Sequence, residues 1–490
     1  MTLAARSGAD TPERRAAVDA LLTRLRQGGI DTVRVAWCDL HGTMRGKTLV
    51  CGADAQPVAD ALLEGIGMVS TVLLKDTSDR TAFRVFEPGE LDALPGFAAA
   101  NNVLLLPDPA SLIELPWAPR TGWLRADALW ADGSPVAADP RAVLLRALAA
   151  LAAAGYGLRC GLEVEFHIYR IVDDALTSEL AAWPAEPPAV RLVHPGYQLL
   201  GEAHADLADD ALALVRRTAL GLGLPLRSLE IEIGPSQVEA VFAPTDALTA
   251  ADQMALFRNG VRQALRRAGY HASFVCKPPL PHAIASGWHL HQSLVDAAGA
   301  NVMRRPTAAG TALDARQVLS DAGTHWLAGL LAHAPALVAI SAPTIPAYAR
   351  YQDSVMAPQA AVWGRDNRGA MLRVVGECGD AATRIENRLG EPMANPYLMI
   401  AAQIFAGLDG LARRLEPGPA TETPYAAAAP TLPDSLATAL QALRDDAVLQ
   451  QGLGPVMATV YDTVKRQELA RHAQAGDAAA WERREYFGRY

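Results

Sequence analysis

The stretch 161–169, Gly-Leu-Glu-Val-Glu-Phe-His-Ile-Tyr, alternates apolar and polar residues, and it constrains the fold more than any other segment. Successive side chains of an extended chain point to opposite faces. One face is therefore apolar, and the other carries Glu163 and Glu165, about 6.5 Å apart along the strand, followed by His167 and Tyr169. For a single strand, a solvated face on a half-buried sheet explains this pattern. The second interpretation is a surface of carboxylates that binds cations.

Three further predicted strands present charged side chains in the same alternation. Their polar faces are Glu230 and Glu232 with Glu239 shortly after, His289 and His291 with Ser293, and Glu386 between Arg384 and Arg388. Neighbouring carboxylates repel each other unless cations intervene, and Mg²⁺ or Mn²⁺ take carboxylate oxygens with one imidazole tolerated. Arginines beside such ions favour phosphoryl transfer. An ion-pair network on an exposed sheet would use the same residue types, so the alternation alone leaves both interpretations open.

The composition excludes several classes of partner. The chain has 490 residues, half of them hydrophobic, and a net charge of -9, which gives no basic surface for nucleic acid or anionic lipid. Its five cysteines are scattered without a CxxC spacing, so neither a disulfide framework nor a zinc ribbon is expected. The N-terminus has no apolar signal core. We therefore expect a soluble cytoplasmic protein that binds neither nucleic acid nor membrane.

The length predicts one large domain with a smaller one attached. Thr11-Pro12-Glu13 begins an N-terminal helix within residues 1–28, because a capping residue is followed by Pro at the first position. Short strands with turn signals fill residues 29–115, and Pro-rich segments near 107–119 mark the crossing into a second domain at 116–490. There helices alternate with the charged strands. The predicted fold class is α+β.

Segments in the same order resemble the signatures of the glutamine synthetase family. The matching segments are Gly161–Phe166, Glu232–Glu239, Ser286–Leu294, Asn367–Arg373, Arg384–Arg388 and Ala394–Tyr397, together with Asp39-Leu40-His41-Gly42 and Arg45-Gly46-Lys47 near the N-terminus. The likeness runs from about residue 30 to the end of the chain. It implies a β-grasp-like N-terminal domain and a catalytic domain built around a curved antiparallel sheet with flanking helices.

The resemblance also implies the reaction and the assembly. ATP phosphorylates the γ-carboxylate of glutamate, and an amine then displaces phosphate from the acyl phosphate. Two or three Mg²⁺ or Mn²⁺ ions assist, and ATP, glutamate and the amine are the small-molecule partners. Family members form homo-oligomeric rings, commonly dodecamers of two stacked hexamers with sites at subunit interfaces, so the loop of Asp39 would complete a neighbour's site.

By matched position the resemblance assigns a role to each motif residue. One ion would be held by Glu165, Glu232 and Glu239, and the other by Glu163, His289 and Glu386. ATP would contact His291, Ser293, Arg373 and Arg384. The glutamate substrate would be held by Arg350 and Arg388, and the catalytic roles would fall to Arg368, Arg388 and Asp39, with Arg368 also contacting the substrate phosphate.

The sequence departs from the family where the amine would bind. The family reads Y-K-R-L-V-P-G-Y-E-A-P, whereas this chain reads Tyr348-Ala349-Arg350-Tyr351-Gln352-Asp353-Ser354-Val355-Met356-Ala357-Pro358. The family's ammonium-binding acid therefore falls on Met356, with Val355 in place of the preceding Tyr. A thioether neither attracts a cation nor accepts its proton. Ile284 likewise replaces an Asn that helps to hold glutamate, and we expect Trp288, Val355 and Met356 to line an apolar pocket.

This departure predicts the kind of amine. Alkylammonium ions must lose a proton before attack, whereas an arylamine is already neutral at pH 7 and prefers apolar walls. The hypothesis is a γ-glutamylamide ligase for a bulky or aromatic amine, similar to the γ-glutamylanilide synthetases. A γ-glutamylpolyamine synthetase, an ordinary glutamine synthetase using ammonia, and a non-catalytic structural relative are the alternatives.

Overall fold

Two β-sheets organise the chain, one within residues 32–129 and the other within residues 157–390. The structure, a computed structural model, describes residues 1–353, 356–426 and 428–490. It confirms the mixed α and β fold class. The smaller sheet consists of β1 (Thr32–Cys38), β2 (Met44–Val50), β3 (Ile66–Val69), β4 (Asn102–Pro107), β5 (Ile113–Glu114) and β6 (Thr121–Leu129).

The order in the smaller sheet is β2-β1-β6-β4-β3, with β5 paired to β6. Strand β6 runs parallel to β1, and the other pairs are antiparallel. Because β6 follows residue 115, the sheet extends past the predicted domain boundary, and the division into domains stays a prediction. The indole N–H of Trp37 on β1 donates to Asp139 at 2.9 Å and so ties this sheet to the following helix.

The larger sheet is built around one strand of 17 residues, β7 (Gly157–Asp173). Its other strands are β8 (Ala189–Leu192), β9 (Leu226–Ile231), β10 (Gln237–Phe242), β11 (Thr245–Asp246), β12 (Tyr270–Ser273), β13 (Trp288–Val295), β14 (Trp363–Arg365), β15 (Leu372–Val375) and β16 (Arg384–Gly390). The order is β14-β15-β16-β13-β7-β10-β9, and β8, β11 and β12 also pair with β7. Every pair except β14–β15 is antiparallel.

Fourteen α-helices are assigned in the described residues, and several of them begin at a capping side chain. They are α1 (Leu3–Arg6), α2 (Pro12–Arg26), α3 (Gln56–Glu64), α4 (Pro140–Ala153), α5 (Glu202–Gly221), α6 (Ala247–Arg267), α7 (Asp321–Ala332), α8 (Ala334–Ser341), α9 (Ala349–Asp353), α10 (Pro396–Arg413), α11 (Leu436–Asp445), α12 (Ala447–Leu453), α13 (Pro455–Ala473) and α14 (Ala478–Glu482). Thr11, Asp139 and Asn395 each accept a backbone N–H from the first turn of α2, α4 and α10. The cap at Thr11 confirms the helix start that the sequence predicts there.

The apolar face of β7 lies in the main hydrophobic core. Phe166 stacks on Phe274 with ring centroids 4.8 Å apart, and it meets the edge of Phe257 at 5.8 Å. Aromatic pairs in these geometries add stabilisation beyond the area that they bury. The apolar half of the alternation is therefore fixed towards the core, and the face with Glu163 and Glu165 must point the other way.

The polar face of β7 is not uniform along its length. His167 and Tyr169 are fully buried, and the C-terminal segment covers this end, with the Tyr169 and Phe487 rings 5.7 Å apart. The sequence predicts one polar wall from residue 163 to residue 169, whereas only the part with Glu163 and Glu165 stays accessible. The carboxylates therefore occupy a short, defined section of the strand.

Among the described residues, no single helix is long and apolar enough to cross a membrane. Helices α7 and α8 satisfy the length and composition criteria only when they are taken together, and the pair is bent by 75°. The bend lies at His333, just before Pro335.

Candidate active site

Four neighbouring strands bring the predicted acids and imidazoles onto one surface. In the strand registers, His289 lies opposite Glu163, Glu239 lies opposite Glu165, and Glu386 lies opposite His291. We call this surface the carboxylate wall and define it by Glu163, Glu165, Glu239, His289, His291 and Glu386. The residues come from β7, β10, β13 and β16, so backbone pairing alone sets their spacing.

His289 lies at the centre of the carboxylate wall. Its Nδ1 is 3.5 Å from Glu163 Oε2 and 3.7 Å from Glu386 Oε1, and its Nε2 is 3.9 Å from Glu165 Oε1. Both ring nitrogens are buried, and neither has a hydrogen-bond partner among the described residues. Donor atoms of Glu163, Glu239 and His289 lie within 4.8 Å of one another, as do those of Glu163, His291 and Glu386. Both groups include Glu163.

Backbone and amide groups hold Glu165 in place. Its Oε2 accepts the N–H of Gly287 at 2.9 Å and the side-chain amide of Gln237 at 3.3 Å. Glu232 lies one residue beyond the end of β9, although the sequence predicts a strand to residue 233, and it accepts the N–H of Ile233 at 3.1 Å. Burial, together with the charge of Glu232, raises the pKa of Glu165 to about 7.

The carboxylates divide into two electrostatic classes. Burial and the neighbouring acids, first Glu165, raise the pKa of Glu239 to about 10. Burial also raises the pKa of Glu386. The nearby basic groups, first His289 and then Arg388, outweigh burial and lower this pKa to about 2. Burial is likewise outweighed at Glu163, where His289 and His291 hold the pKa well below its ordinary value.

The donor set of the carboxylate wall fits a hard divalent cation. Carboxylate oxygens converge with the free nitrogens of His289, and this combination is one that Mg²⁺ and Mn²⁺ accept. Without cations, burial and the neighbouring acids raise the pKa of Glu239 to about 10 and that of Glu165 to about 7, so Glu239 keeps its proton at neutral pH. A bound cation would remove this repulsion.

Arginines border the carboxylate wall on the side of β15 and β16. Arg373 donates to Glu386 at 2.8 Å, and Arg388 also donates to this carboxylate. The Nε of Arg388 is buried without a partner in the described structure. Arg350 is buried and donates to the carbonyl of Arg388 at 2.9 Å. Two of the predicted substrate-binding arginines, Arg350 and Arg388, are therefore brought together with the predicted ATP contact Arg373.

A cavity of about 470 Å³ opens at the other end of the wall. It is lined by three predicted ATP contacts, His291, Ser293 and Arg384, and it also reaches Glu163. The Nε of Arg384 donates to Nδ1 of His291 at 3.0 Å, which leaves Nε2 of His291 facing Glu163 Oε1 at 3.0 Å. Ser293 donates to the carbonyl of Thr383 at 3.1 Å. The cavity has the size and polar lining that a nucleotide needs.

Arg368 lies apart from this cluster. It is exposed and borders another cavity, of about 640 Å³, with Arg365 and Asp366. Asp366 in turn accepts from Arg373 at 2.9 Å, which connects this cavity to the carboxylate wall. The predicted catalytic role of Arg368 stays a prediction.

Asp39 lies in the turn between β1 and β2, and its predicted catalytic role at a neighbour's site stays a prediction. Its carboxylate is 1% exposed. Both oxygens are used within the β1–β2 turn: Oδ1 accepts the N–H groups of His41 and Thr43, each at 2.9 Å, and Oδ2 accepts Nε of Arg45 at 2.8 Å. Within the described chain, the carboxylate therefore holds the β1–β2 turn in place.

Two of the three residues predicted to line the amine pocket can be placed. Trp288 is 0% exposed and packs in the core with Leu290, on the face of β13 opposite His289, which contradicts its predicted contact with the amine. Met356 is 54% exposed. Val355 lies outside the described residues.

Several residues of the site have no role in the sequence-based prediction. Glu230 lies opposite Glu239 in the sheet and belongs to the predicted acidic strand, so its alternation was the available signal. Arg159 and Arg227 line the 470 Å³ cavity. The sequence does not predict the contact of Gln237 with Glu165, because that contact depends on the pairing of β10 with β7.

Comparisons with known proteins agree with this geometry. The family model described as glutamine synthetase, catalytic domain, matches residues 137–486. The chain is 37% identical over 494 residues to a γ-glutamylanilide synthase of Acinetobacter sp., which covers 97% of both chains. It is 33% identical over 485 residues to a γ-glutamylethanolamide synthetase of Streptomyces coelicolor, which covers 96% of both.

Structure comparison gives the same result. A solved GmaS/ADP complex superposes with a TM-score of 0.75 at 29% identity, covering 95% of this chain and 98% of that one. The family model covers more than half of the chain, and the relatives match nearly all of it. The chain therefore belongs to the glutamine synthetase family and is a glutamine synthetase-like ligase.

Proposed function

We propose that this enzyme joins L-glutamate to a bulky, aromatic amine such as aniline, at the expense of ATP, to give a γ-glutamylamide. The observation that carries the proposal is Met356, a half-exposed thioether at the position where the family has its ammonium-binding acid. The similarity to a γ-glutamylanilide synthase over 97% of both chains supports the same choice of amine.

The reaction has two steps. An oxygen of the glutamate γ-carboxylate attacks the γ-phosphorus of ATP, and ADP leaves. The amine nitrogen then attacks the γ-carbonyl carbon of the acyl phosphate, phosphate leaves, and the amine loses a proton. Arg350 and Arg388 would hold the glutamate, while His291, Ser293 and Arg384 would hold ATP in the 470 Å³ cavity.

The carboxylate wall would hold the divalent ions. We retain Glu165, Glu232 and Glu239 for one ion and Glu163, His289 and Glu386 for the other, because His289 Nδ1 faces Glu163 and Glu386 at 3.5 and 3.7 Å. Such ions neutralise the charge that develops on a transferring phosphoryl group. Arg373 and Arg388 meanwhile keep Glu386 oriented and ionised.

The acceptor step sets the preference for an arylamine. An alkylammonium ion must give up a proton to a base before its nitrogen can attack. Met356 supplies no base, and the carboxylate of Asp39 is already used in its own turn. An arylamine is neutral at pH 7 and needs no such base on binding. Moving its ring from water to an apolar contact is also favourable and would strengthen binding.

Parallel steady-state assays test the proposal. ADP release is measured with glutamate, Mg²⁺ and ATP and with aniline, ethanolamine, putrescine or ammonium as the acceptor, and the amide is identified by mass. We expect kcat/KM to be highest for aniline and turnover to need both the metal and glutamate. Ammonium turnover equal to that of the best amine would refute the choice of amine. Absence of ATP turnover with every acceptor would favour the non-catalytic alternative.

We also propose that the chain assembles as a dodecamer of two stacked hexameric rings, with sites at subunit interfaces. The edge strand β2 of the smaller sheet supports this, because most of its residues are exposed and its outer side has no partner within the described chain. Light scattering on the purified full chain should give the mass of twelve subunits, and a monomeric mass would refute the proposal. The cytoplasmic location stays a prediction.

A further inference from the structure

The segment Thr421–Ala426 is attached to the edge of the larger sheet beside the active-site arginines. The side-chain amide of Asn367 donates to the carbonyls of Thr421 and Glu422, each at 3.2 Å. The N–H of Thr421 donates to the carbonyl of Trp363 on β14 at 2.9 Å. These three hydrogen bonds fix the start of the segment and so determine where Tyr425 lies.

The ring of Tyr425 lies against Gly369. A Cβ atom at Gly369 would be 3.1 Å from Cε2 and 3.3 Å from Cζ of this ring, and 2.8 Å from Cγ of Pro424. Both distances to the ring are shorter than ordinary van der Waals contact. The absence of a side chain at residue 369 therefore allows the ring to approach the turn that carries Arg368.

Tyr425 also lies close to the glutamate-binding arginines. Partial burial raises the pKa of its phenol, and the neighbouring guanidiniums of Arg388 and Arg350 act against this change. The side chain is still 45% exposed. The N–H of Arg388 donates to the carbonyl of Met371 at 3.0 Å, two residues after Gly369, so the Tyr425 ring lies near the strand that carries Arg388. Because Arg388 would hold the glutamate in the proposed reaction, this exposed ring is placed to border the acceptor region.

We propose that Tyr425 forms an aromatic wall of the acceptor-amine pocket and selects arylamines by ring contact. This inference rests on the proposed function and adds a specificity residue that is distant from Met356 in the sequence. A ring on Tyr425 can offer its face or edge to an aniline ring, which a small amine cannot use. Tyr425 is thus a specificity residue and takes no part in the bond-forming steps.

Kinetics of the full-length enzyme test this role. For Tyr425→Ala we expect KM for aniline to rise about tenfold, with KM for glutamate and for ammonium changed less than about twofold. Tyr425→Phe keeps the ring and should retain the wild-type KM for aniline. Leu220→Ala, which truncates another exposed apolar side chain, serves as the control and should match the wild type.

A second variant moves the ring without removing it. Gly369→Ala places a methyl group against Tyr425 and Pro424, so KM for aniline should rise in this variant as well. Equal changes in KM for aniline and ammonium, or a rise in KM for glutamate alone, would overturn the inference. A wild-type enzyme that prefers ammonium to aniline would refute the proposed function and this inference with it. An aniline-active enzyme whose Tyr425→Ala variant keeps the wild-type KM would refute the inference alone.

Discussion

The carboxylate wall and the acceptor segment, which we define as residues 348–358, are built in different ways. The wall lies on four paired strands, so hydrogen-bonded registers set the distance of each acid from His289. Of the acceptor segment, the structure describes the short helix α9 and, after the gap at 354–355, residues 356–358, where Met356 is half exposed. In the proposed reaction, residues on a sheet would therefore serve the phosphoryl step, whereas Met356, which belongs to no strand, would serve the choice of amine.

The two regions meet at Arg350. This side chain belongs to the acceptor segment, yet it is buried and donates to the backbone carbonyls of Arg388 and Gly390 at 2.9 and 3.2 Å. One end of the segment is therefore anchored to the strand that carries Glu386. Loops on a rigid scaffold can vary without disturbing it. A change of amine should accordingly need no change in the carboxylate wall.

Removing one acid from the carboxylate wall should have the largest effect. Glu163 belongs to both groups of converging donors, so Glu163→Gln should lower kcat by on the order of 10³-fold with every amine. ADP release at saturating ATP and Mg²⁺ measures this loss. Glu179→Gln changes an exposed carboxylate and should keep the wild-type rate. A loss of activity that depended on the amine would contradict the separation of the two regions.

Replacing Met356 should change selectivity and leave the phosphoryl step intact. Met356→Glu restores an acid, so the ratio of kcat/KM for ammonium to that for aniline should rise on the order of 100-fold. Met356→Gln is the matched control, since it is polar but supplies no base. If the Gln variant gave the same change, polarity and not proton transfer would explain the preference. The KM for ATP should stay the same in both variants.

The alternation of residues predicts the carboxylate wall because side-chain direction in a strand has a period of two. It correctly places Glu163, His289 and Glu386 on polar faces and their apolar neighbours in the core. The same period places Trp288 on the core side, so its assignment to the amine pocket contradicted the rule that located His289. The sequence does not reveal which residue lies opposite which, because register depends on the pairing of distant strands.

Other features depend on contacts that spacing does not encode. Asp39 matches a family segment, but whether its carboxylate points into its own turn or towards a neighbour depends on the N–H groups of His41 and Thr43. The position of Tyr425 depends on Asn367, which is more than 50 residues earlier in the chain. Loop residues of this kind show no periodic pattern in the sequence. The residues that they contact can therefore be identified only in the folded structure.

A substitution at Asp39 distinguishes a role in stability from a role in amine transfer. Asp39→Asn should lower the free energy of unfolding by about 1–3 kcal/mol, because the buried charge and the oxygen that accepts from Arg45 are lost, while an amide oxygen can still accept from His41 and Thr43. The ratio of activities with aniline and ammonium should stay within about twofold of the wild type. Arg45 also pairs with Asp79, whose side chain is 46% exposed, so Asp79→Asn should change stability by less than about 1 kcal/mol. If Asp39→Asn lost amine transfer while keeping its stability, the result would support the predicted catalytic role of Asp39.

Glu391, the residue after β16, is hydrogen-bonded to Thr344, four residues before the acceptor segment. Its Oε1 accepts the N–H and the hydroxyl of Thr344 at 3.1 and 2.6 Å. Burial raises its pKa from 4.5 to about 7, although the hydrogen bonds from Thr344 and the charges of Lys465 and Arg350 oppose this. Between pH 4.5 and about 7 the folded state therefore keeps a proton that the unfolded state has lost. Stability from this group is greatest below the unfolded pKa and falls as the pH rises through this window.

Glu391→Gln removes this titration and keeps the oxygen that accepts from Thr344. The Tm of the variant minus that of the wild type should therefore increase from pH 5 to pH 8 by about 2 °C, because only the wild type must ionise a buried carboxyl. Thermal unfolding of both proteins in matched buffers measures the difference, and the other titrating groups cancel in it. A difference that did not vary with pH would show that Glu391 is ionised throughout, with the cations near the acceptor segment outweighing its burial.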